Sequence, residues 1–249
     1  AACGGSADRT TLAQLVPDAE FTSLDPLLRE QILTREDESL AFRSRPLATR
    51  WFANQSLDER RVWLERRAAL AQLTQPERLA LAVQLGDAEA GLEIAEELWQ
   101  HAPGIELARQ AVALAEGGGR TGMAVQWIDR AVALMFPAAQ YTEANRLLRR
   151  AIELGAPDDE RRYLFARTEL LLGRRAEAES VITDALAQPM SSAFQARFTL
   201  LHSSLLLRQG DAARAAERLR QGAALAKESE DDVALAQAAE LTGNDALIR

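Results

Sequence analysis

The sequence predicts an all-α fold built as a helical-repeat solenoid, and three observations carry that prediction. Apolar residues make up 47% of the 249-residue chain but aromatics only 5%. The apolar set is chiefly Ala and Leu, which suits close-packed helices better than sheet. Between Thr74 and Lys227 one device recurs: an Ala- and Leu-rich helix, a glycine turn, a second such helix, and often a proline before the next pair. The turn glycines Gly86 and Gly119 lie 33 residues apart and the terminating prolines Pro103 and Pro137 lie 34 apart, so two independent punctuation marks give nearly one period. Units of this length bury their apolar faces only by stacking on one another. Essentially no strand is expected, and function is expected on a surface instead of in a catalytic pocket.

Residues 1–22 read as an N-terminal tether, with Gly4-Gly5-Ser6 near its start and Pro17-Asp18 near its end. Residues 23–73 read as an irregular helical cap of three helices. Ser23 can cap the first, running through Leu27, Leu28 and Ile32, and Pro46 separates two short amphipathic pieces. Ser56-Leu57-Asp58-Glu59 is a capping box, in which Ser56 and Glu59 satisfy backbone donors at the start of a helix carrying Val62, Trp63, Leu64 and Leu70. The first two repeats occupy residues 74–137. Thr74-Gln75-Pro76-Glu77 is a second capping box, with a proline early in the first turn where its missing N–H costs nothing. A helix to Leu85, a turn at Gly86-Asp87 and a helix through Leu92, Ala95 and Trp99 complete the first pair. The second runs from Gly104 to Glu116, turns at Gly117-Gly118-Gly119 and continues through Ala124, Trp127 and Ala131 to Pro137.

Within residues 138–157 the pattern breaks. Tyr141-Thr142-Glu143-Ala144 begins one more helix, ending at Gly155, that reads as a second helix without its first. An odd helix puts the pairs on either side out of phase, so either the solenoid bends there or its groove is interrupted. Repeats resume over residues 158–227, and GRRAEAESVITDALAQP from Gly173 to Pro189 is the best preserved unit. Residues 228–249 form a C-terminal capping helix, introduced by Glu228-Ser229-Glu230-Asp231-Asp232. Such an acidic run suits a solvated helix start, where negative charge complements the helix dipole.

The period and its small residues resemble the tetratricopeptide repeat (TPR). Gly173, Ala178, Ala185 and Pro189 match that family's turn, small, small and proline positions, with Ala166 at an earlier small position; Gly119, Ala124, Ala131 and Pro137 match nearly as well. Gly210 and Ala215 match, with Gly222 in place of the second Ala, while the Gly86 unit has Gly91 and Leu98. The resemblance covers residues 74–227. It implies a right-handed α-α superhelix whose concave groove is lined by the first helix of each pair. Carried over position by position, the groove-facing residues are Glu106 and Arg109, then Tyr163 and Arg167, then Arg197, Ser204 and Arg208. Arginines facing an aromatic would hold a peptide carboxylate or an acidic polymer through bidentate hydrogen bonds.

The formal charge of -8 argues against nucleic acid, which is gripped through a positive surface. An anionic membrane surface is disfavoured for the same reason. Cys3 is the only cysteine, so one chain forms neither a disulfide nor a thiolate metal cluster. Ala1-Ala2-Cys3 followed by Gly4-Gly5-Ser6 resembles the end of a bacterial lipoprotein signal. That resemblance implies lipidation of Cys3 and a periplasmic setting, anchored to the outer membrane because Gly4 carries no acidic retention signal; a fragment whose cysteine has no role is the alternative.

Catalytic and cofactor chemistry finds no footing. His101 and His202, the only histidines, have no partner at metal-ligand spacing. Gly117 to Gly122 follows a helix and lacks the Gly-Lys-Ser/Thr ending of a phosphate loop. No metal, cofactor or catalytic residue is expected. The reading is a non-enzymatic adaptor for protein partners in an envelope assembly or export complex, such as one built on a pore or pilus. Its alternatives are binding of an acidic exopolysaccharide during export and a cytoplasmic regulatory module.

Overall fold

The computed structural model describes residues 6–8, 33–36, 39–42, 73–155 and 157–248, with a few single positions between 29 and 65. The chain divides into two units, residues 1–103 with 113–119 and residues 104–112 with 120–249. Cys3, Trp51, Trp63 and much of the expected helical cap lie outside the described residues.

The all-α repeat class holds from Gln75 onward, where ten helices follow one another. They are α1 (Gln75–Leu85), α2 (Ala88–His101), α3 (Ile105–Gly117), α4 (Thr121–Met135), α5 (Tyr141–Glu153), α6 (Asp159–Leu171), α7 (Arg175–Leu186), α8 (Ser192–Gln209), α9 (Ala212–Glu228) and α10 (Asp232–Ile248).

The expectation of an essentially strand-free chain is corrected nearer the N-terminus. Strands β1 (Ser6–Asp8), β2 (Leu33–Glu36) and β3 (Ser39–Phe42) form an antiparallel sheet in the order β1-β3-β2. Ser6 pairs with Ala41, and Leu33 with Phe42. Only two residues separate β2 from β3, a hairpin-length connection. Further on, Arg61, Val62, Leu64 and Glu65 are helical as expected, with Leu64 buried.

In the first unit the Thr74 box forms its Glu77 half. The carboxylate of Glu77 accepts from the Thr74 backbone N–H at 2.9 Å and from its hydroxyl at 2.8 Å. Gly86 turns at φ 70°, a left-handed conformation that glycine adopts at little cost. Gly91 is required by close approach, since a Cβ there would stand 2.6 Å from Cδ1 of Leu114.

The second unit explains the odd helix. Ala139, at φ 54°, takes the left-handed conformation that glycines take at the other turns. Ala144 and Ala151 follow it by five and twelve residues and are fully buried, in the register of Ala124 and Ala131 after Gly119 and of Ala178 and Ala185 after Gly173. Helix α5 is therefore built as a second helix of a pair, and its turn residue lies 34 residues before Gly173.

One extra helix of this kind exchanges the two layers. Helix α5 packs on α4 and on α6. Arg161, early in α6, forks onto Asp129 of α4 at 2.9 and 2.6 Å, α6 packs on α8, and α8 packs on α10. Helices α4, α6, α8 and α10 thus succeed one another in one layer. In the other, Arg109 of α3 lies 3.4 Å from Glu143 of α5. The first-helix positions of α3 and those of α6 consequently fall in different layers.

Two kinds of contact hold the unit together. Between α8 and α9 packing is close: a Cβ on Gly222 would stand 2.7 Å from Cγ of Leu200 and 3.2 Å from its backbone nitrogen. Between α5 and α6 it is polar. Asn145, buried, donates to the Thr168 hydroxyl at 2.9 Å and to Oε1 of Glu169 at 3.0 Å. Glu169, at 0% exposure, also accepts from Arg149 at 3.3 Å and from Arg174 at 3.4 Å.

Candidate partner-binding face

Helices α6, α8 and α10 bring three of the expected groove residues together. Tyr163 projects from α6 into the core between α6 and α8, where its ring meets Phe198 edge-on at 5.7 Å and it is 3% exposed. Its hydroxyl donates to Oε1 of Gln237 on α10 at 3.1 Å. A side chain of α6 that reaches α10 past α8 marks this layer as the inside of the local curve. Burial pushes the Tyr163 hydroxyl pKa up, against the opposing influence of Arg167 and Arg197.

Arg197 of α8 forks onto Asp231, through Nε at 2.6 Å and Nη2 at 2.9 Å. Asp231 is itself buried and accepts from the Val233 backbone N–H at 3.1 Å, so one carboxylate caps α10 and ties it to α8. The hydrogen bond from Arg197 holds the Asp231 carboxyl below the usual aspartate range, and Arg197 is raised in turn. The Arg197 guanidinium also lies 4.9 Å from the Phe194 ring.

Arg167 differs. It is exposed one turn beyond Tyr163, and its guanidinium is braced 5.5 Å from the ring of Phe136, which meets Tyr141 edge-on at 5.8 Å. Among the described residues it forms no ion pair. Arg208 is exposed and donates to the Leu170 carbonyl at 3.4 Å, while Ser204 is half-buried.

Glu106 and Arg109 are not part of this group. Glu106 is exposed, 3.8 Å from Arg109, and Arg109 shares Glu143 with Arg146, which lies 2.6 Å from the same oxygen. Hydrogen bonding to Arg146 holds the Glu143 carboxyl below its ordinary value. Sequence reasoning missed Asp231, Gln237 and Phe136. A signal did exist for the first: Asp231 lies 34 residues after Arg197, one repeat on, with opposite charge.

The remaining candidates are structural. His101 is exposed and meets the Glu97 carbonyl at 2.8 Å. His202 is half-buried with an unpartnered Nδ1. Burial lowers its pKa first, then Arg218 and Arg214, with Glu179 opposing. Trp127 is buried, with Arg130 over its ring at 4.4 Å. Among the described residues no group of His, Cys, Asp and Glu could hold a metal ion, and no helix is long and apolar enough to cross a membrane.

With turn, small-residue and layer geometry in place, the chain has a TPR-like helical-repeat fold. It is similar in structure to a putative kinesin light chain of Podosopora anserina with nearly identical TPR-like repeats, at 20% identity and TM-score 0.44 over 74% of this chain and 93% of that one. A tetratricopeptide-repeat protein from Parabacteroides merdae aligns at 16% identity and TM-score 0.37 over 92% and 98%. A thermophilic TPR protein of Thermus thermophilus aligns at 15% and 0.31 over 78% and 95%. No model of a known protein family matches the sequence, and none of the curated proteins is similar to it.

Proposed function

We propose that the face formed by α6, α8 and α10 is a non-catalytic docking surface for an acidic segment of a protein partner, with Arg167 as its anchoring cation. The supporting observation is the contrast between two arginines of one face. Arg197 is engaged by Asp231, whereas Arg167 is exposed, braced on Phe136 and without a carboxylate partner among the described residues. A guanidinium already held in place loses little freedom when a carboxylate arrives. Tyr163 and Arg197 then shape the face and hold α10 in position, and Ser204 and Arg208 extend it along α8.

A labelled oligoglutamate peptide tests this reading. Arg167→Ala is expected to weaken its binding about tenfold, the loss of one charge-assisted contact, with the melting temperature unchanged. An unaltered Kd removes the reading, and preferential binding of polygalacturonate would favour an acidic polysaccharide instead.

The wider setting we propose is a scaffold of bacterial envelope assembly or export in the periplasm, lipid-anchored to the outer membrane at Cys3. The sequence around Cys3 supports it. Intact-mass measurement of the protein from bacterial membranes tests it, and an unmodified Cys3 still joined to upstream sequence would end it.

A further inference from the structure

We infer a second docking surface, in the layer opposite α6, α8 and α10, where α3, α5 and the start of α7 present arginines to an acidic peptide segment of a protein partner. It is independent of the Arg167 face and would make the scaffold two-sided.

Two carboxylates are each shared by two arginines from different elements. Glu143 takes Arg109 of α3 at 3.4 Å and Arg146 of α5 at 2.6 Å. Glu169 takes Arg149 of α5 at 3.3 Å on one oxygen and Arg174, just before α7, at 3.4 Å on the other. One carboxylate neutralises one guanidinium, so the Glu169 pair keeps a unit of positive charge, and Arg175, next in sequence after Arg174, is exposed.

Burial sharpens the point. Glu169 is fully buried, while the Arg149 and Arg174 side chains are 55% and 46% exposed, so both reach inward with part of the guanidinium and offer the rest to solvent. Asn145 fixes Glu169 from behind, and Arg149 is also held 5.5 Å from the Phe165 ring. The two guanidiniums are therefore oriented before any ligand arrives, the condition under which a charge-assisted contact is strongest. The exposed acids on these elements are Glu106, 3.8 Å from Arg109, Glu153, which pairs with Arg150, Glu177 at the start of α7, and Asp184 further along it.

The charge of the whole chain selects the occupant. At -8 the molecule repels an extended polyanion over distances comparable to the screening length, about 8 Å at physiological salt. A short acidic peptide, which meets the arginines at contact distance, suffers least. The exchange of layers at α5 is what sets this surface opposite the first one.

Titration with the labelled oligoglutamate peptide, read by calorimetry for stoichiometry, tests the inference. The wild-type chain should take two peptides. Arg146→Glu with Arg175→Glu should remove one and leave the Kd of the other unchanged, and Arg167→Ala should weaken the other about tenfold. The milder pair Arg146→Gln and Arg175→Gln, checked by circular dichroism, should weaken the outer site at least fivefold if the charge-reversed chain folds poorly. A single peptide on the wild-type chain that the outer-face variants leave bound, or two peptides on the folded outer-face variant, overturns the inference. So does a single-stranded DNA of equal length that binds the same arginines as tightly as the peptide. If the outer-face variants abolish all binding while Arg167→Ala changes nothing, the first face fails and the second stands.

Discussion

The α8–α9 contact and the α5–α6 contact solve the same problem, pressing two helices together, by opposite means. At the first, Gly222 clears space and Leu200 fills it, in keeping with the rule that close approach of helix backbones needs small residues. At the second, a buried Asn, Thr and Glu meet, and two arginines from outside complete the set. Apolar packing is tolerant of register, because many arrangements bury similar areas. A buried carboxylate has few acceptable arrangements. The polar contact falls where the repeat is out of phase, so its energy goes into specifying where the extra helix sits, one of the recognised uses of buried polar groups.

Breaking the polar contact should have the largest effect. Glu169→Ala leaves Asn145 short of an acceptor and two arginines converging on nothing, and should cost about 3 kcal/mol, the lower end for breaking a buried ion pair because the arginines can turn to solvent. Urea unfolding measures it, and a loss below about 1 kcal/mol would mean that packing alone places α5. Gly222→Val comes next, with an expected loss of about 2 kcal/mol from overpacking against Leu200. A neutral outcome there would show that α9 can move away freely, which would undo the contrast.

Asp231→Asn should cost about 1 to 2 kcal/mol, since it weakens an ion pair while keeping a capping side chain. This effect should depend on pH. The folded-state pKa of Asp231 is depressed, so its contribution is present above the unfolded value near 4 and is lost as pH falls through the folded pKa. The gap between wild type and Asp231→Asn should therefore close in acid. His202 has a separate window. Its folded pKa is also depressed, so stability is full above the unfolded value near 6.5 and declines as pH drops below it. His202→Gln should flatten the wild-type stability curve as pH falls below about 6.5, and an unchanged slope there would exclude the histidine as its source. The smallest change should be a gain: Ala139→Gly relieves a left-handed alanine and should stabilise the chain by about 1 kcal/mol or less.

The repeats were legible because their marks are single residues with one physical meaning: glycine where φ is positive, alanine or glycine where helices cross. Ala139 escaped notice because alanine rarely takes that conformation, although Ala144 and Ala151 at the right distances beyond it carried the same message. The candidate face was legible as a set of first-helix positions but not as a surface. No spacing rule for one repeat says that an added helix will transfer Glu106 and Arg109 to one layer and Tyr163 to the other. Asp231 was hidden by its neighbours, since a carboxylate in an acidic run reads as solvated until Arg197 is found beside it. The sheet was missed because β2 and β3 are four residues each, too short for alternation to outweigh composition.

The hydrogen bond from Tyr163 to Gln237 has a mechanical consequence. It spans α8 on the inside of the curve, so any pull that straightens this stretch must stretch it first, while a push that tightens the curve leaves it intact. Its rupture costs only about 1 kcal/mol, small enough for thermal motion to break and remake it. The C-terminal helices should therefore behave as a spring with a soft stop in one direction, yielding to extension in a discrete click instead of a smooth bend.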